Sequence, residues 1–135
     1  MWRMIFLGLL GVALVGLAYI RLAPSDPARW HQAIEARSSE TLAGGAVRVV
    51  PGGAAELQKL VTAMQGVERT QFLAGSVEEG RVTFVTRSRV FGFPDYTTLE
   101  ASDGRVRAFA RLRFGQSDLG VNANRLERVF AAAGL

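Results

Sequence analysis

One segment of the chain decides the fold: Tyr96–Leu112, which reads YTTLEASDGRVRAFARL. Alternating apolar and polar residues flank the dipeptide Asp103-Gly104, and this arrangement is the strongest short-range signal for a β-hairpin. A two-residue turn there makes the numbers of paired residues sum to 207, because antiparallel pairs are counted symmetrically from the turn. The segment therefore predicts two strands with four facing pairs: Tyr96 with Arg111, Thr98 with Phe109, Leu99 with Ala108, and Glu100 with Arg107.

The predicted register sorts the side chains of this hairpin onto two faces, because successive side chains of a strand point to opposite sides of the sheet. One face, the predicted core side, collects the apolar side chains Leu99, Ala101, Val106, Ala108, Ala110 and Leu112. Every strongly polar side chain of the hairpin falls on the other face, which supports the register independently.

Outside the hairpin, hydrophobic periodicity predicts further strands and two helices. Residues 81–90 alternate as a half-buried strand, and 46–50 and 70–73 are shorter strands. Residues 54–65 and 122–133 each carry one apolar stripe at helical spacing. We therefore predict an α+β fold, in which an antiparallel β-meander of about four strands has both helices packed on one face. The opposite face is expected to contact water or a partner.

The N-terminal segment has the composition of a membrane-spanning helix. Seventeen uncharged residues, 4–20, separate Arg3 from Arg21. At about 1.5 Å per residue they nearly span a hydrocarbon core of about 30 Å once both arginines snorkel outward. Membrane contact is thus assigned to residues 4–22. A cleaved signal peptide starts in the same way, but the apolar run continues past the one plausible cleavage site, 16–18, and favours an uncleaved anchor.

We divide the chain into a transmembrane anchor (1–23), a juxtamembrane linker (24–46) and a globular α+β domain (47–135). Trp30 and His31 are the bulky residues of the linker and are typical of an interfacial anchor or of a plug against the domain. The expected location is a bacterial inner membrane, crossed once. Counting positive charges favours a cytoplasmic domain, but short signal anchors with tiny N-terminal tails often export the domain behind them, so we expect a periplasmic domain.

The composition excludes several classes of protein. The 135 residues allow one small domain rather than a two-domain enzyme. The chain contains no cysteine and one histidine, which excludes disulfides, thiolate metal sites and cysteine nucleophiles. No glycine-rich phosphate or dinucleotide loop is present. We therefore predict no cofactor and no metal.

Arginine carries nearly all the positive charge. Sixteen basic and twelve acidic residues give a net charge of +4, and removing residues 1–23, which contain Arg3 and Arg21, leaves 14 against 12, or +2.

Guanidinium groups pair bidentately with carboxylates and phosphates. An acidic protein or anionic lipid headgroups are therefore candidate partners, and the modest net charge argues against nucleic acid. Six arginines are the candidate binding residues on the outer face: Arg87, Arg89, Arg105, Arg107, Arg111 and Arg113. The alternative is a solvated face, neutralised by nearby carboxylates.

The loop before the last helix allows two interpretations. Ser117 or Asp118 is suited to cap that helix, since short polar side chains satisfy the free N–H groups of a first helical turn. Alternatively, Asp118 and either Arg111 or Arg113 form a hydrolase-like site. We assign no catalytic residue, because the single histidine is not in any recognised arrangement with a serine.

Two motifs resemble a known family. Residues 86–95 read TRSRVFGFPD, and residues 111–122 read RLRFGQSDLGVN. Both resemble the bacterial family known as domain of unknown function 1499, with similarity over about residues 73–133. The segment 22–31 also looks like the linker of membrane-anchored members from Gram-negative bacteria. The residues that carry the family motifs are Gly92, Phe93, Pro94, Asp95, Ser117, Asp118, Gly120, Asn122 and Arg125.

The resemblance implies a domain associated with the cell envelope, and it supplies no established activity. Many members carry a lipoprotein cysteine or a longer insertion before the helix, and this chain has neither. We therefore expect a non-enzymatic binding or accessory module that uses the arginine-rich sheet face. A hydrolase-like enzyme and a purely structural domain are the alternatives.

Overall fold

The computed structural model describes residues 1–135 and contains four helices and six strands. The elements in chain order are α1 (Trp2–Leu22), α2 (Pro27–Trp30), β1 (Glu40–Leu42), β2 (Gly45–Pro51), α3 (Ala54–Gln65), β3 (Thr70–Ser76), β4 (Arg81–Arg87), β5 (Pro94–Ser102), β6 (Arg105–Leu112) and α4 (Val121–Ala133).

The strands form one antiparallel sheet in the order β1-β2-β6-β5-β4-β3. β5 and β6 pair in the predicted register, with Glu100 opposite Arg107. Asp103 and Gly104 have φ values of +53° and +69°, which suits a type I′ turn. The hairpin that they close is the centre of the sheet, and β2 and β4 pair on its two sides.

One face of the sheet is covered by α3 and α4. Their apolar stripes and the predicted core side of the hairpin form a single cluster of 14 buried residues. The cluster comprises Ala46, Leu57, Leu60, Val61, Met64, Val82, Phe84, Leu99, Val106, Ala108, Ala110, Leu126, Val129 and Phe130. The predicted α+β fold and the packing of both helices on one face are confirmed.

The strand count and some boundaries differ from the prediction. The sheet has six strands instead of about four, because β2 pairs with β6 beside the four-stranded meander β3–β6, and β1 adds a three-residue edge strand that is too short to show a periodic pattern. The strand predicted over 81–90 ends at Arg87, because a turn begins at Ser88. In that turn Ser88 donates its backbone N–H to the Phe93 carbonyl at 3.0 Å, and the Ser88 hydroxyl accepts from the Phe93 N–H at 2.9 Å.

The second face of the sheet is covered by the chain itself. Residues 23–39, here called the strap, cross this face as a mainly irregular segment that includes α2. Trp30 is only 8% exposed, and its ring stacks on Tyr96 with 3.9 Å between ring centroids. The expectation that this face contacts water or a partner is thus corrected. Of the two interpretations of Trp30, the plug against the domain is confirmed.

His31 is the second anchor of the strap. Its Nδ1 lies 2.8 Å from the Thr83 hydroxyl on β4. Gly75 on β3 has a φ of +90°, and a Cβ atom there would lie 2.6 Å from Cε1 of His31 and would overlap the Arg81 carbonyl. β3 therefore needs a glycine where the strap passes over it.

The helix α1 stands apart from the core. None of its residues is buried, and it is long and apolar enough to cross a membrane, a property that signal sequences share. Its last turn nevertheless contacts the domain. The Tyr19 ring packs edge-on against Phe114 at 6.1 Å, and Arg21 donates to the carbonyls of Val90 and Phe91 at 2.6 and 3.2 Å. The end of α1 thus lies beside the loops 88–93 and 113–120.

Candidate functional site

Four of the six predicted binding arginines hold the strap. Arg113 donates to the Pro24 carbonyl at 2.9 Å, and Arg111 to the Trp30 carbonyl at 2.6 Å. Arg107 donates to the Ala36 carbonyl at 3.0 Å, and Arg105 to the Arg37 carbonyl at 3.2 Å. Because the arginine numbers fall as the strap numbers rise, the strap runs antiparallel to β6. We call these four contacts the arginine ladder.

The arginine ladder uses guanidinium groups as hydrogen-bond donors in a partly dry layer. Arg107 is 8% exposed, and Arg111 also donates to the Thr98 hydroxyl at 2.9 Å. Burial lowers the pKa of Arg111 to about 10, so its guanidinium stays charged at neutral pH. These two side chains therefore stabilise the fold. Replacing Arg107 or Arg111 by an acidic residue would release the strap, so the variant would not measure ligand binding by itself.

The remaining two predicted arginines, Arg87 and Arg89, line a cleft of about 740 Å³. This cleft lies between the C-terminal end of α3, the exposed side of α4 and the end of β4, and we call it the arginine cleft. Three further arginines line it, namely Arg69, Arg125 and Arg128, together with the acidic residues Glu68 and Asp95. Five guanidinium groups against two carboxylates leave three positive charges without an acidic counterpart in the cleft.

A buried ion pair forms the floor of the arginine cleft. Arg125 is 7% exposed, and its guanidinium lies 3.4 Å from Oδ2 of Asp95, which also accepts from the Asn122 amide at 3.3 Å. Arg125 donates to the Asn122 side-chain oxygen as well. Burial lowers the pKa of Arg125, and burial also raises the pKa of Asp95 against the opposing effect of Arg125. The family-motif residues Asp95, Asn122 and Arg125 thus form one connected cluster.

Two arginines of the cleft are free. Arg89 and Arg128 are exposed and make no hydrogen bond or ion pair within the chain. By contrast, Arg69 donates to the Arg87 carbonyl at 3.1 Å and to Glu68 at 3.0 Å. An anion can therefore bind the guanidinium groups of Arg89 and Arg128 without breaking a contact that stabilises the fold.

A second cleft, of about 510 Å³, adjoins the first near the end of α1. Four residues line both clefts: Arg69, Arg87, Ser88 and Arg89. Arg21 lines the second cleft but not the first. Arg87 also donates to the Ile20 carbonyl of α1 at 3.4 Å. The arginine cleft is thus next to the end of the apolar helix.

Asp118 satisfies an N–H group in the first turn of α4, as the capping interpretation predicts, although the N-cap position itself is Gly120. Its carboxylate accepts from the backbone N–H groups of Gly120 and Asn122 at 2.9 and 3.1 Å. Burial opposes ionisation of Asp118, but hydrogen bonds from the Asn122 side chain and these N–H groups outweigh it and hold its pKa below the usual value. Since Arg111 and Arg113 hold the strap, the residues of the hydrolase-like hypothesis are all engaged elsewhere.

Sequence reasoning missed Arg69 and Arg128 as members of a site. Arg128 lies three residues after Arg125, so helical spacing places both side chains on the same side of α4. That signal was present in the sequence. Arg69 has a φ of +54° in the turn after α3, and only the tertiary structure brings it to Arg87.

The sequence matches the family described as protein of unknown function, DUF1499, over residues 20–132. The matched range begins in α1 and includes the whole strap. No curated protein matches the chain. A solved structure of a DUF4468 family protein from Bacteroides ovatus is similar over 82% of this chain and 91% of that chain, with 10% identity and a TM-score of 0.37. Nothing about function follows from a likeness at that level.

Proposed function

This chain belongs to the DUF1499 family, and because the family name carries no activity we propose a function from the site itself: the domain binds an anionic ligand in the arginine cleft. The observation that carries the proposal is the convergence of five arginines on one concavity, two of which have no partner. Charge-assisted hydrogen bonds from arginine are the strongest that a side chain offers to a phosphate or carboxylate.

The size and walls of the cleft support a small ligand rather than a protein face. Its volume of about 740 Å³ lies within the usual range for small-molecule sites, about 300–1,000 Å³. Five apolar side chains also line the cleft, from α3, the turn after α3, and α4: Ala63, Val67, Val121, Val129 and Ala132. A ligand with an anionic group and an apolar portion matches this mixed lining.

We infer that the ligand carries phosphate or carboxylate groups and meets the domain at a membrane surface. The apolar helix α1 ends beside the second arginine-lined cleft, so a domain tethered by α1 would hold these guanidinium groups close to lipid headgroups. The same chemistry is present in soluble phosphate esters. In this proposal the domain is a tethered binding module and contributes no catalytic residue.

The test uses full-length protein in nanodiscs and two kinds of probe. The lipid probe is phosphatidylglycerol mixed into phosphatidylcholine, and its enrichment around the protein is read by native mass spectrometry. The soluble probe is glycerol phosphate, added to discs of phosphatidylcholine alone and measured by calorimetry. Whichever probe binds the parent protein, we expect Arg89→Glu and Arg128→Glu each to reduce its binding roughly tenfold, since each removes a charge-assisted contact.

Arg37→Glu is the matched control. Arg37 is exposed, and its side chain makes no hydrogen bond or ion pair in the chain, so the same change of charge at this position should alter binding less than about twofold because distant exposed charges are screened. Enrichment of the lipid, binding of the ester, or both would support the proposal and identify the source of the anion. Binding of neither probe, or an equal loss with Arg37→Glu, would overturn it.

A further inference from the structure

The exposed apolar side chains of the domain are concentrated in two places. Outside residues 1–22, eight large hydrophobic residues are exposed. Five of these come from the loop 88–93 and the region where α4 starts: Val90, Phe91, Phe93, Leu119 and Val121. A soluble domain scatters such residues singly, and a group of them marks an interaction surface.

These side chains continue the apolar surface of α1. The rings of Phe91, Phe93, Phe114 and Tyr19 form a chain of contacts, with centroid separations of 5.9, 6.5 and 6.1 Å in that order. Arg21 fixes the loop 88–93 to the end of the helix through the Val90 and Phe91 carbonyls. The loop cannot therefore move away from α1 without losing these bonds.

We propose that the loops 88–93 and 113–120 insert into the interfacial layer of the bilayer, as a second membrane contact beside α1. The proposal rests on the placement of α1 in the membrane. If Arg21 lies at the level of the headgroups, Tyr19 lies about 3 Å deeper, at about 1.5 Å of rise per residue. Phe114, whose ring centroid is 6.1 Å from that of Tyr19, then lies near the boundary between headgroups and lipid chains, which aromatic rings favour.

Leu119 is an independent observation that favours a lipid partner. Its side chain is 91% exposed, and its backbone has a φ of +53°, a conformation that costs free energy for a residue other than glycine. In water, the exposed Leu119 side chain buries no apolar surface that would offset the free-energy cost of this backbone conformation. At a bilayer surface it is placed to bury its side chain among lipids.

One exposed arginine accompanies these apolar side chains. Arg89 lies in the loop 88–93, and its guanidinium makes no bond in the chain; such long basic side chains reach headgroups while their stems lie along apolar surface. Aromatic rings with arginines at their edge suit the boundary between lipid chains and headgroups. The contact of this group with Tyr19 of the apolar helix α1 favours a bilayer over a second protein.

The absence of cysteine allows a direct test by site-specific labelling of the full-length protein in phosphatidylcholine vesicles. Phe91→Cys and Leu119→Cys are each labelled with an environment-sensitive fluorophore, and quenching by lipids with a nitroxide high on the acyl chain is measured. Leu10→Cys, in the middle of α1, is the positive control, and it is read with a second lipid that carries its nitroxide near the end of the acyl chain. Glu78→Cys is the negative control, since residue 78 lies in the turn at the opposite end of β4.

We expect at least threefold stronger quenching at positions 91 and 119 than at position 78. Quenching at 91 alone would support the contact and leave Leu119 outside it. Values at 91 equal to those at 78 would overturn the proposal, and an unquenched label at position 10 would overturn it by removing α1 from the bilayer. The vesicles contain no anionic lipid, so the result is separate from the binding test of the arginine cleft.

Discussion

The two faces of the sheet are covered in different ways. On one face, α3 and α4 bury a cluster of 14 apolar residues. On the other, the strap covers a layer that holds hydroxyls, a carboxylate and guanidinium groups, with Thr83, Thr98, Glu100 and Arg107 all buried. The apolar cluster of this second face contains only Trp30, Val85 and Tyr96.

The difference follows from the backbone of each cover. A helix satisfies its own N–H and C=O groups internally, so it needs only an apolar surface beneath it. An irregular segment has carbonyl groups without partners, and burying them without donors is costly. Arginine, which has five N–H donors, supplies these donors from the sheet. The arginines of β6 are thus explained by the strap they hold, independently of any ligand.

The largest effect is expected from a substitution that creates a cavity beneath α3 and α4. Leu99 is fully buried in the central strand β5, and Leu99→Ala should lower the free energy of unfolding by about 3 kcal/mol, from the lost burial and the cavity left behind. Urea unfolding of the full chain in detergent measures the change. Leu119→Ala is the matched control, since that side chain is 91% exposed, and it should stay within about 0.5 kcal/mol of the parent. Equal losses for the two variants would contradict the assignment of the core.

A smaller effect is expected on the strap face. Trp30→Ala removes the ring that stacks on Tyr96 and should cost about 2 kcal/mol. Because the strap can open locally without a cavity forming in the helix face, we expect faster amide hydrogen exchange in residues 23–39 and unchanged protection in α3 and α4. Trp30→Phe keeps an aromatic stack and should lose less. Equal loss of protection in α4 would show that the two covers unfold together.

The smallest expected effect is a pH dependence confined to the strap. Burial lowers the pKa of His31, Arg81 lowers it further, and Glu79 and Glu100 oppose both. The folded strap therefore favours neutral His31, whereas the unfolded chain takes up a proton near pH 6.5. Stability contributed by His31 is complete above that pH and falls as the pH drops from 6.5 to the lowered value.

We expect acidification from about pH 7.5 to about pH 5.5 to lower the protection factors of strap amides, calculated relative to the intrinsic exchange rate at each pH, and to leave the protection factors of α3 and α4 unchanged. Fluorescence of Trp30 in a Trp2→Phe background reports the same opening. His31→Gln, which does not titrate, is the control. A change that persists in the His31→Gln variant would assign the pH dependence to another group.

The helix face could be predicted from the sequence because its signals are local. The Asp103-Gly104 turn fixes the pairing of β5 with β6, and the stripes of α3 and α4 have the spacing of a buried helix face. The bounds of α3 were predicted as they occur, and α4 begins one residue earlier than predicted. Turn chemistry and periodicity depend only on neighbouring residues, so a single sequence contains them.

The strap and the arginine cleft could not be predicted in the same way. The strap has no period, and its contacts join residues far apart in the chain, such as Pro24 with Arg113. Outward-facing arginines have the same pattern whether they meet water, a ligand or a covering segment. The cleft depends on Arg69 and Arg87, which come together only after β3 and β4 pair.

The direction of the strap also determines how the domain would respond to force. A pull transmitted through α1 first breaks the contacts of Tyr19 and Arg21 with the two loops and then enters the strap at residue 23, next to the contact between Pro24 and Arg113. Because the strap runs antiparallel to β6, the four contacts of the ladder would be loaded one after another, from Arg113 to Arg105, and would open like a zipper rather than resist together in shear. The anchor could then move away from the sheet by the length of the strap while the helix face stayed folded, and the contacts would re-form when the load was released.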